Sequence, residues 1–223
     1  MQPIKQQAMS PEIIQKIEQS GVIAVLVIDE LKHAVPLAKS LLAGGVDSIE
    51  LTLRTPVALE AARLIKNEVP EMSLGLGTVL TVQQVKAAAE LGVDFAVAPG
   101  CNPNVIEAAH EYGLSFAPGI VTPSDIEIAI ERGCRILKYF PAEISGGMNY
   151  LANIAGPYKY LGLKFIPLGG LNINNAGSYL NSPMIIAIGG SWIAKRPMIQ
   201  AEAWDEITKN AREIRNLIDS VQK

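Results

Sequence analysis

A (β/α)8 TIM barrel preceded by a short N-terminal helix is the α/β fold that this sequence predicts. Three observations carry the expectation. Short β-branched apolar runs alternate with amphipathic helical stretches along the chain. There are eight such runs, joined by turns of a few residues, and the 223 residues sit at the short end of what eight strand–helix units occupy. No break in composition and no linker divides the sequence, so a single domain over 1–223 is expected. A doubly wound open sheet would have fewer strands and a dinucleotide-binding glycine signature.

Strands are expected near 22–28, 48–53, 73–79, 95–98, 114–118, 135–140, 164–168 and 184–188. Helical stretches fall near 31–43, 56–68, 81–91, 103–112, 123–132, 147–156 and 173–180, with a long helix at 203–221 closing the chain. The short amphipathic segment Pro11–Gln19 comes before the first strand. Thr81, Asn102 and Thr122 stand at helix starts as caps, the last two followed by proline. Helices end at Gly44-Gly45, Gly92, Gly113 and Gly133, as expected for glycine C-caps.

Composition excludes several classes. The chain is 49% hydrophobic with mean hydropathy +0.24, ample for a continuous core. Net charge is −3 and no lysine–arginine cluster occurs, so neither nucleic acid nor an anionic membrane is an expected partner. The first twenty residues lack the apolar segment of a signal peptide, and Val22–Ile28 is far too short to span a bilayer. Cys101 and Cys134 are isolated, which suits reduced thiols and a cytoplasmic location.

The chemistry is signalled by Lys138, set inside the apolar run Ile136-Leu137-Lys138-Tyr139-Phe140. Lysine is almost never buried without a partner, and burial favours the neutral amine, a nucleophile towards carbonyls. Ile136 and Phe140 share its strand face, which favours enclosure over an ammonium snorkelling to solvent. On the second strand, Glu50, Thr52 and Arg54 alternate with Ile49, Leu51 and Leu53. Glu50 then either belongs to a site with Lys138 or forms a structural ion pair with Arg54. An amine, a carboxylate and a guanidinium in one cavity are the equipment for a Schiff base with a keto acid.

Barrel active sites lie at the C-terminal strand ends, with phosphate sites after strands seven and eight. Arg54 and Thr78 close the second and third strands, while Gly169-Gly170 and Gly189-Gly190-Ser191 are expected after the last two. Glycine lets backbone N–H groups approach a phosphate closely, and Ser191 adds a hydroxyl. Thr78 lies beside Gly75 and Gly77, so its facing is ambiguous. His33 and His110 read as surface residues on helices, and no metal-ligand spacing is present. Glu143 reads as a loop or cap carboxylate, and Trp192 and Trp204 as core or subunit-contact residues.

In order along residues 20 to 220, the segments Glu50–Thr55 (ELTLRT), Gly75–Leu80 (GLGTVL), Ala98–Gly100 (APG), Pro118–Ile120 (PGI), Lys138–Glu143 (KYFPAE), Pro167–Gly170 (PLGG) and Gly189–Trp192 (GGSW) resemble the bacterial 2-keto-3-deoxy-6-phosphogluconate (KDPG) aldolases. The family also holds 4-hydroxy-2-oxoglutarate (KHG) aldolases and a phosphogalactonate aldolase. The resemblance implies a homotrimeric (β/α)8 barrel that needs no metal or other cofactor and takes a keto-acid phosphate. It implies Lys138 as the Schiff-base lysine and Glu50 as general acid/base. Arg54 and Thr78 would hold the pyruvate carboxylate, Pro99 and Phe140 would shape the pocket, and Gly169, Gly170, Gly190 and Ser191 would bind phosphate. One residue departs from the pattern: Leu168 stands where the family usually has threonine, at a position associated with the hydroxyl-bearing part of the substrate. The readings that compete are the same chemistry on an unphosphorylated or galactonate substrate, oxaloacetate decarboxylation through the same imine, a phosphosugar isomerase or epimerase barrel, and a non-catalytic barrel that binds sugar phosphates.

Overall fold

A computed structural model describes residues 8–221; the ends of the expected domain, 1–7 and 222–223, lie outside the described residues. Parallel strands alternate with helices. In chain order these are α1 (Pro11–Ser20), β1 (Val22–Leu26), α2 (Ala34–Ala43), β2 (Ser48–Thr52), α3 (Ala58–Glu68), β3 (Ser73–Gly77), α4 (Val82–Leu91), β4 (Phe95–Val97) and α5 (Pro103–Glu111). The second half contributes β5 (Phe116–Ala117), β6 (Gly119–Ile120), α6 (Pro123–Glu131), β7 (Ile136–Tyr139), α7 (Gly147–Ala155), β8 (Lys164–Pro167), α8 (Ile173–Leu180), β9 (Ile188–Gly190), α9 (Arg196–Gln200) and α10 (Trp204–Val221). Six strands pair in the order β5-β4-β3-β2-β1-β9, and three in the order β6-β7-β8. Pro118, with no N–H to give a ladder, separates β5 from β6. Parallel bridges Phe165↔Ile185 and Leu168↔Gly189 connect the β8 and β9 regions.

Strand alternation sorts the buried residues into two layers. Val22, Ala24, Leu26, Ile49, Leu51, Leu137 and Phe165 face outward into the layer under the helices. Ile23, Val25, Phe95, Val97, Ile136 and Ile166 face inward. Met9 and two residues of α1, Ile13 and Ile17, join that inner cluster. Their i, i+4 spacing sets both isoleucines on one helix face, and burying each contributes about 1.5–3 kcal/mol. Ser10 caps this helix by accepting from the Ile13 N–H, and its own N–H donates to the Ser115 hydroxyl, 3.1 Å away. The N-terminal strand ends are thus filled with hydrocarbon. Inward polar side chains gather towards the C-terminal ends.

Caps explain most helix starts. Thr81 with Gln84 and Thr122 with Asp125 form reciprocal capping boxes, and Asn102 accepts from the Asn104 N–H. Four expectations need correction. The first helix splits into a 3-10 turn, Leu31–His33, and α2. The run at 147–156 continues beyond α7 as a 3-10 turn to Leu161. His33 is no surface residue: it is 1% exposed, 3.3 Å from a Glu202 carboxylate oxygen and edge-on to Trp204 at 5.9 Å. The last strand is not 184–188 but β9, which begins at Ile188, so Gly189 and Gly190 belong to a ladder and not to a loop. Their register with β1 pairs Ile23 with Gly189 and Ala24 with Gly190. Glycine is required there because neighbours fill the space of a side chain: a Cβ on Gly189 would lie 2.6 Å from Leu168 Cγ, and one on Gly190 1.8 Å from the Trp192 ring.

Candidate active site

Lys138 is the inward residue of β7, paired in register with Gly119 on β6 and Ile166 on β8, and it is 5% exposed. Glu50, the central inward residue of β2, is 1% exposed. The two meet across 88 residues of sequence: Lys138 Nζ donates to Glu50 Oε1 at 2.9 Å and to Oε2 at 3.1 Å. Of the two readings open for Glu50, its partner is therefore Lys138 and not Arg54. A neighbouring glycine makes room for the carboxylate, since a Cβ on Gly77 would lie 2.0 Å from Glu50 Oε1. Thr52, which shares the Glu50 face, instead donates its hydroxyl to the Leu26 carbonyl at 2.9 Å.

Above this pair, at the C-terminal strand ends, lies a cavity of about 330 Å³, within the usual range for small-molecule sites. Lys138, Arg54, Thr78, Pro99, Phe140, Gly169, Gly190 and Ser191 all line it, as does Leu168. Arg54 Nε donates to the Thr78 hydroxyl at 3.2 Å. Thr78 sits just beyond β3 in the left-handed region, φ 61°, which settles its ambiguous facing. For a β-branched residue that conformation is a real outlier, and such strain persists where surrounding contacts hold it. Lys138 Nζ lies 5.5 Å from the centre of the Phe140 ring. Gly119 allows the chain at Pro99 to come close, a Cβ there falling 2.3 Å from the Pro99 carbonyl oxygen.

Two candidates stand outside the cavity lining. Glu50 lies behind Lys138. Gly170 is turned to Glu143, and its carbonyl accepts from the Asn175 amide at 3.2 Å. Both Gly169 and Gly170 have positive φ, 93° and 85°, so this turn needs glycine for its backbone whatever it binds. Glu143 supports the turn: its N–H donates to the Gly169 carbonyl at 3.0 Å, and its carboxylate accepts from the Tyr179 hydroxyl. Burial, and then that carboxylate, push the Tyr179 phenol well above its ordinary range. Cys101 and Cys134 are no rival nucleophiles, because burial pushes both thiols up to about 12. Among the described residues no group of His, Cys, Asp and Glu side chains has the arrangement to hold a metal ion, and no helix is long and apolar enough to cross a membrane.

Sequence reasoning missed part of the lining: Val25 and Val27 at the end of β1, Ala194 and Lys195 between β9 and α9, and Arg196 at the start of α9. Helix α9 was invisible to periodicity because it has only five residues. Asp29 holds it in place, accepting from Arg196 Nη2 at 2.6 Å, from Arg196 Nε at 2.8 Å and from the Gln200 amide at 2.9 Å. The Arg196 hydrogen bonds hold the Asp29 carboxyl below its ordinary range. Position after the last strand was the available signal for these residues.

A family model described as KDPG and KHG aldolase matches residues 13–210. The "KHG/KDPG aldolase" of Escherichia coli strain K12 is 43% identical over 192 residues, 86% of this chain and 89% of that protein. The "2-dehydro-3-deoxy-phosphogluconate aldolase" of Haemophilus influenzae is 37% identical over 207 residues, 93% of this chain and 97% of the relative. Among solved structures, a KDPG aldolase from Legionella pneumophila, with pyruvate captured as a covalent carbinolamine intermediate, superposes with a TM-score of 0.85 at 36% identity, covering 90% of this chain and 96% of that one. The aldolase of Zymomonas mobilis ZM4 with 3-phosphoglycerate gives 0.81 at 35% identity, covering 90% and 93%. By sequence and by fold, this chain belongs to the KDPG and KHG aldolase family.

Proposed function

We propose that this chain cleaves 2-keto-3-deoxy-6-phosphogluconate to pyruvate and glyceraldehyde 3-phosphate as a metal-independent class I aldolase, with Lys138 forming the Schiff base. The observation that carries the reading is the buried Lys138 amine, in contact with both Glu50 oxygens at 2.9 and 3.1 Å and opening onto the cavity. Glu50 can take the ammonium proton and leave a neutral amine. The amine adds to the C2 ketone, Glu50 returns its proton to the carbinolamine hydroxyl, and loss of water gives a protonated imine with the Glu50 carboxylate restored. The C3–C4 bond then breaks, its electron pair passing to C3 as an enamine. Glu50, directly or through a water, takes the C4 hydroxyl proton as the aldehyde forms. Protonation of the enamine at C3 and hydrolysis of the imine release pyruvate and regenerate the amine. Arg54, oriented by Thr78, pairs with the substrate carboxylate through its planar fork, and Pro99 and Phe140 wall the pyruvyl end.

The reading extends to architecture. β5 and β6 act as one strand interrupted at Pro118, and the β8–β9 bridges join the two sheets, so the strands make a single-domain barrel of eight positions. By family resemblance the working form is a cytoplasmic homotrimer. Treatment with pyruvate and borohydride should reduce the imine to a stable secondary amine on one lysine per chain, which peptide mass spectrometry should place at Lys138. A label on any other lysine overturns the assignment.

At the far end of the cavity, Gly169 and Gly190 present backbone donors to the phosphate with the Ser191 hydroxyl beside them, and Gly170, behind the lining, shapes the turn that offers them. Ser191→Ala removes one charge-assisted hydrogen bond, so kcat/KM on the phosphorylated substrate should fall about 10–150-fold. Activity on 4-hydroxy-2-oxoglutarate should fall far less; equal losses on both would make Ser191 a support for the fold. That unphosphorylated substrate is the second reading, favoured by the double name of the Escherichia coli relative.

Leu168 sets a limit on stereochemistry. It is 4% exposed, lies over Gly189 and gives the cavity an apolar wall. Such a wall excludes volume but cannot orient a hydroxyl, so it discriminates weakly. Both the gluconate and galactonate epimers should be cleaved, with gluconate preferred. Leu168→Thr should widen the preference, mainly by raising kcat/KM for the gluconate substrate. If the unaltered protein already discriminates as sharply as the threonine variant, stereochemistry is set elsewhere.

A further inference from the structure

Charge pairing in the cavity distinguishes its cations. Among the described residues four lining side chains are cationic, namely Arg54, Lys138, Lys195 and Arg196, and no carboxylate lines the cavity. Two are already neutralised: Lys138 by Glu50 at 2.9 Å, and Arg196 by Asp29 at 2.6 Å. The other two, Arg54 and Lys195, form no ion pair among the described residues. Arg54 follows β2 and Lys195 follows β9, and both strands flank β1. The strands they follow lie two spacings apart, about 10 Å, so the two cations stand on different sides of the cavity mouth, which suits an extended chain with an anion at each end.

Lys195 is not a freely moving surface lysine at its base. Its carbonyl accepts from the Met198 N–H at 2.8 Å and the Ile199 N–H at 3.1 Å. The next residue is clamped to Asp29 through both guanidinium bonds. The backbone is therefore fixed beside Ser191 and Gly190 while the ammonium stays uncommitted.

We propose that Lys195 is a specificity-determining residue that pairs with the distal phosphate and separates phosphorylated from unphosphorylated substrates; this rests on the aldolase reading. The phosphate of a sugar phosphate carries about −1.5 to −2 at neutral pH. Backbone N–H groups and a serine hydroxyl supply hydrogen bonds but no net positive charge. With Asp29 holding Arg196, Lys195 supplies the full charge at that end, as Arg54 does at the carboxylate end.

The test compares Lys195→Met and Lys195→Arg with the unaltered protein on KDPG and on 4-hydroxy-2-oxoglutarate, together with borohydride trapping of pyruvate. Lys195→Met should lose roughly tenfold in kcat/KM on KDPG, mainly through KM, and less than twofold on the unphosphorylated substrate. Lys195→Arg should recover most of the loss. Added salt should depress kcat/KM on KDPG more steeply in the unaltered protein than in Lys195→Met, because the screened ion pair is gone from the variant. An unchanged KDPG rate, or equal losses on both substrates, would overturn the assignment. Retained pyruvate trapping in that case would show that the aldolase reading stands and only the role of Lys195 has failed. Absent trapping in the unaltered protein would instead remove the reading beneath it.

Discussion

Lys138→Arg is expected to abolish aldol cleavage, with a fall of at least roughly 10⁴-fold, and to abolish borohydride trapping of pyruvate altogether. Arginine keeps a cation opposite Glu50 but cannot lose its proton at any pH the protein survives, so it cannot attack a ketone. The comparison that gives this result meaning is Lys138→Met. Methionine also lacks the nucleophile, yet it leaves the Glu50 carboxylate, 1% exposed, without its cation. Breaking a buried pair by removing one partner costs about 3–5 kcal/mol. Thermal unfolding should therefore drop much further for Lys138→Met than for Lys138→Arg, while both are equally inactive. Measurable turnover in a folded Lys138→Arg protein would show that the carbon–carbon bond breaks without an imine at this residue.

The stability difference matters because it bears on why the pair is there. Two buried charges are often no more stabilising than well-packed hydrocarbon. Here the chain also gives up side-chain volume for them. Gly77, facing Glu50, has no room for a methyl group. Thr78 next to it is held at φ 61° with its hydroxyl on Arg54. Local departures from regular strand chemistry converge on one cavity, where they exact a stability cost that catalysis explains and folding does not.

Much of this arrangement was legible in the sequence, for identifiable reasons. The period-2 alternation around Glu50 and Lys138 assigns inward and outward residues because strands buried on both faces leave a charged residue only one place to go. The caps at Thr81, Asn102 and Thr122 were readable because a cap is local chemistry within three residues. What stayed hidden depended on contacts between distant segments. Gly189 and Gly190 look like a turn, since glycine is a common turn residue; only the neighbouring Leu168 and Trp192 side chains explain why glycine belongs in that strand. His33 looks exposed until Glu202 and Trp204, some 170 residues further on, are brought over it. Lys195 and Arg196 were overlooked because a five-residue helix carries no periodic signal, and its anchor, Asp29, lies 167 residues away.

Glu50→Gln tests the proton-transfer role. The amide keeps the carboxylate's shape and can still accept from Lys138, so the fold should survive. It cannot take a proton from the C4 hydroxyl, and cleavage should fall by roughly 10²–10⁴. Imine formation should be less affected, since the amine is intact, so pyruvate should still be trapped on Lys138 by borohydride. Two measurements separate this from a general disturbance of the site. Single-turnover kinetics should show the imine accumulating before C3–C4 cleavage in the variant. In D2O, exchange of the pyruvate methyl protons, which requires proton removal and return at C3 of the enamine, should slow in parallel with cleavage if one carboxylate serves both steps. If methyl exchange stays fast while cleavage falls, Glu50 handles only the C4 hydroxyl. Near-normal turnover would exclude it from proton transfer and leave Glu50, 2.9 Å from Lys138 Nζ, as a countercharge alone.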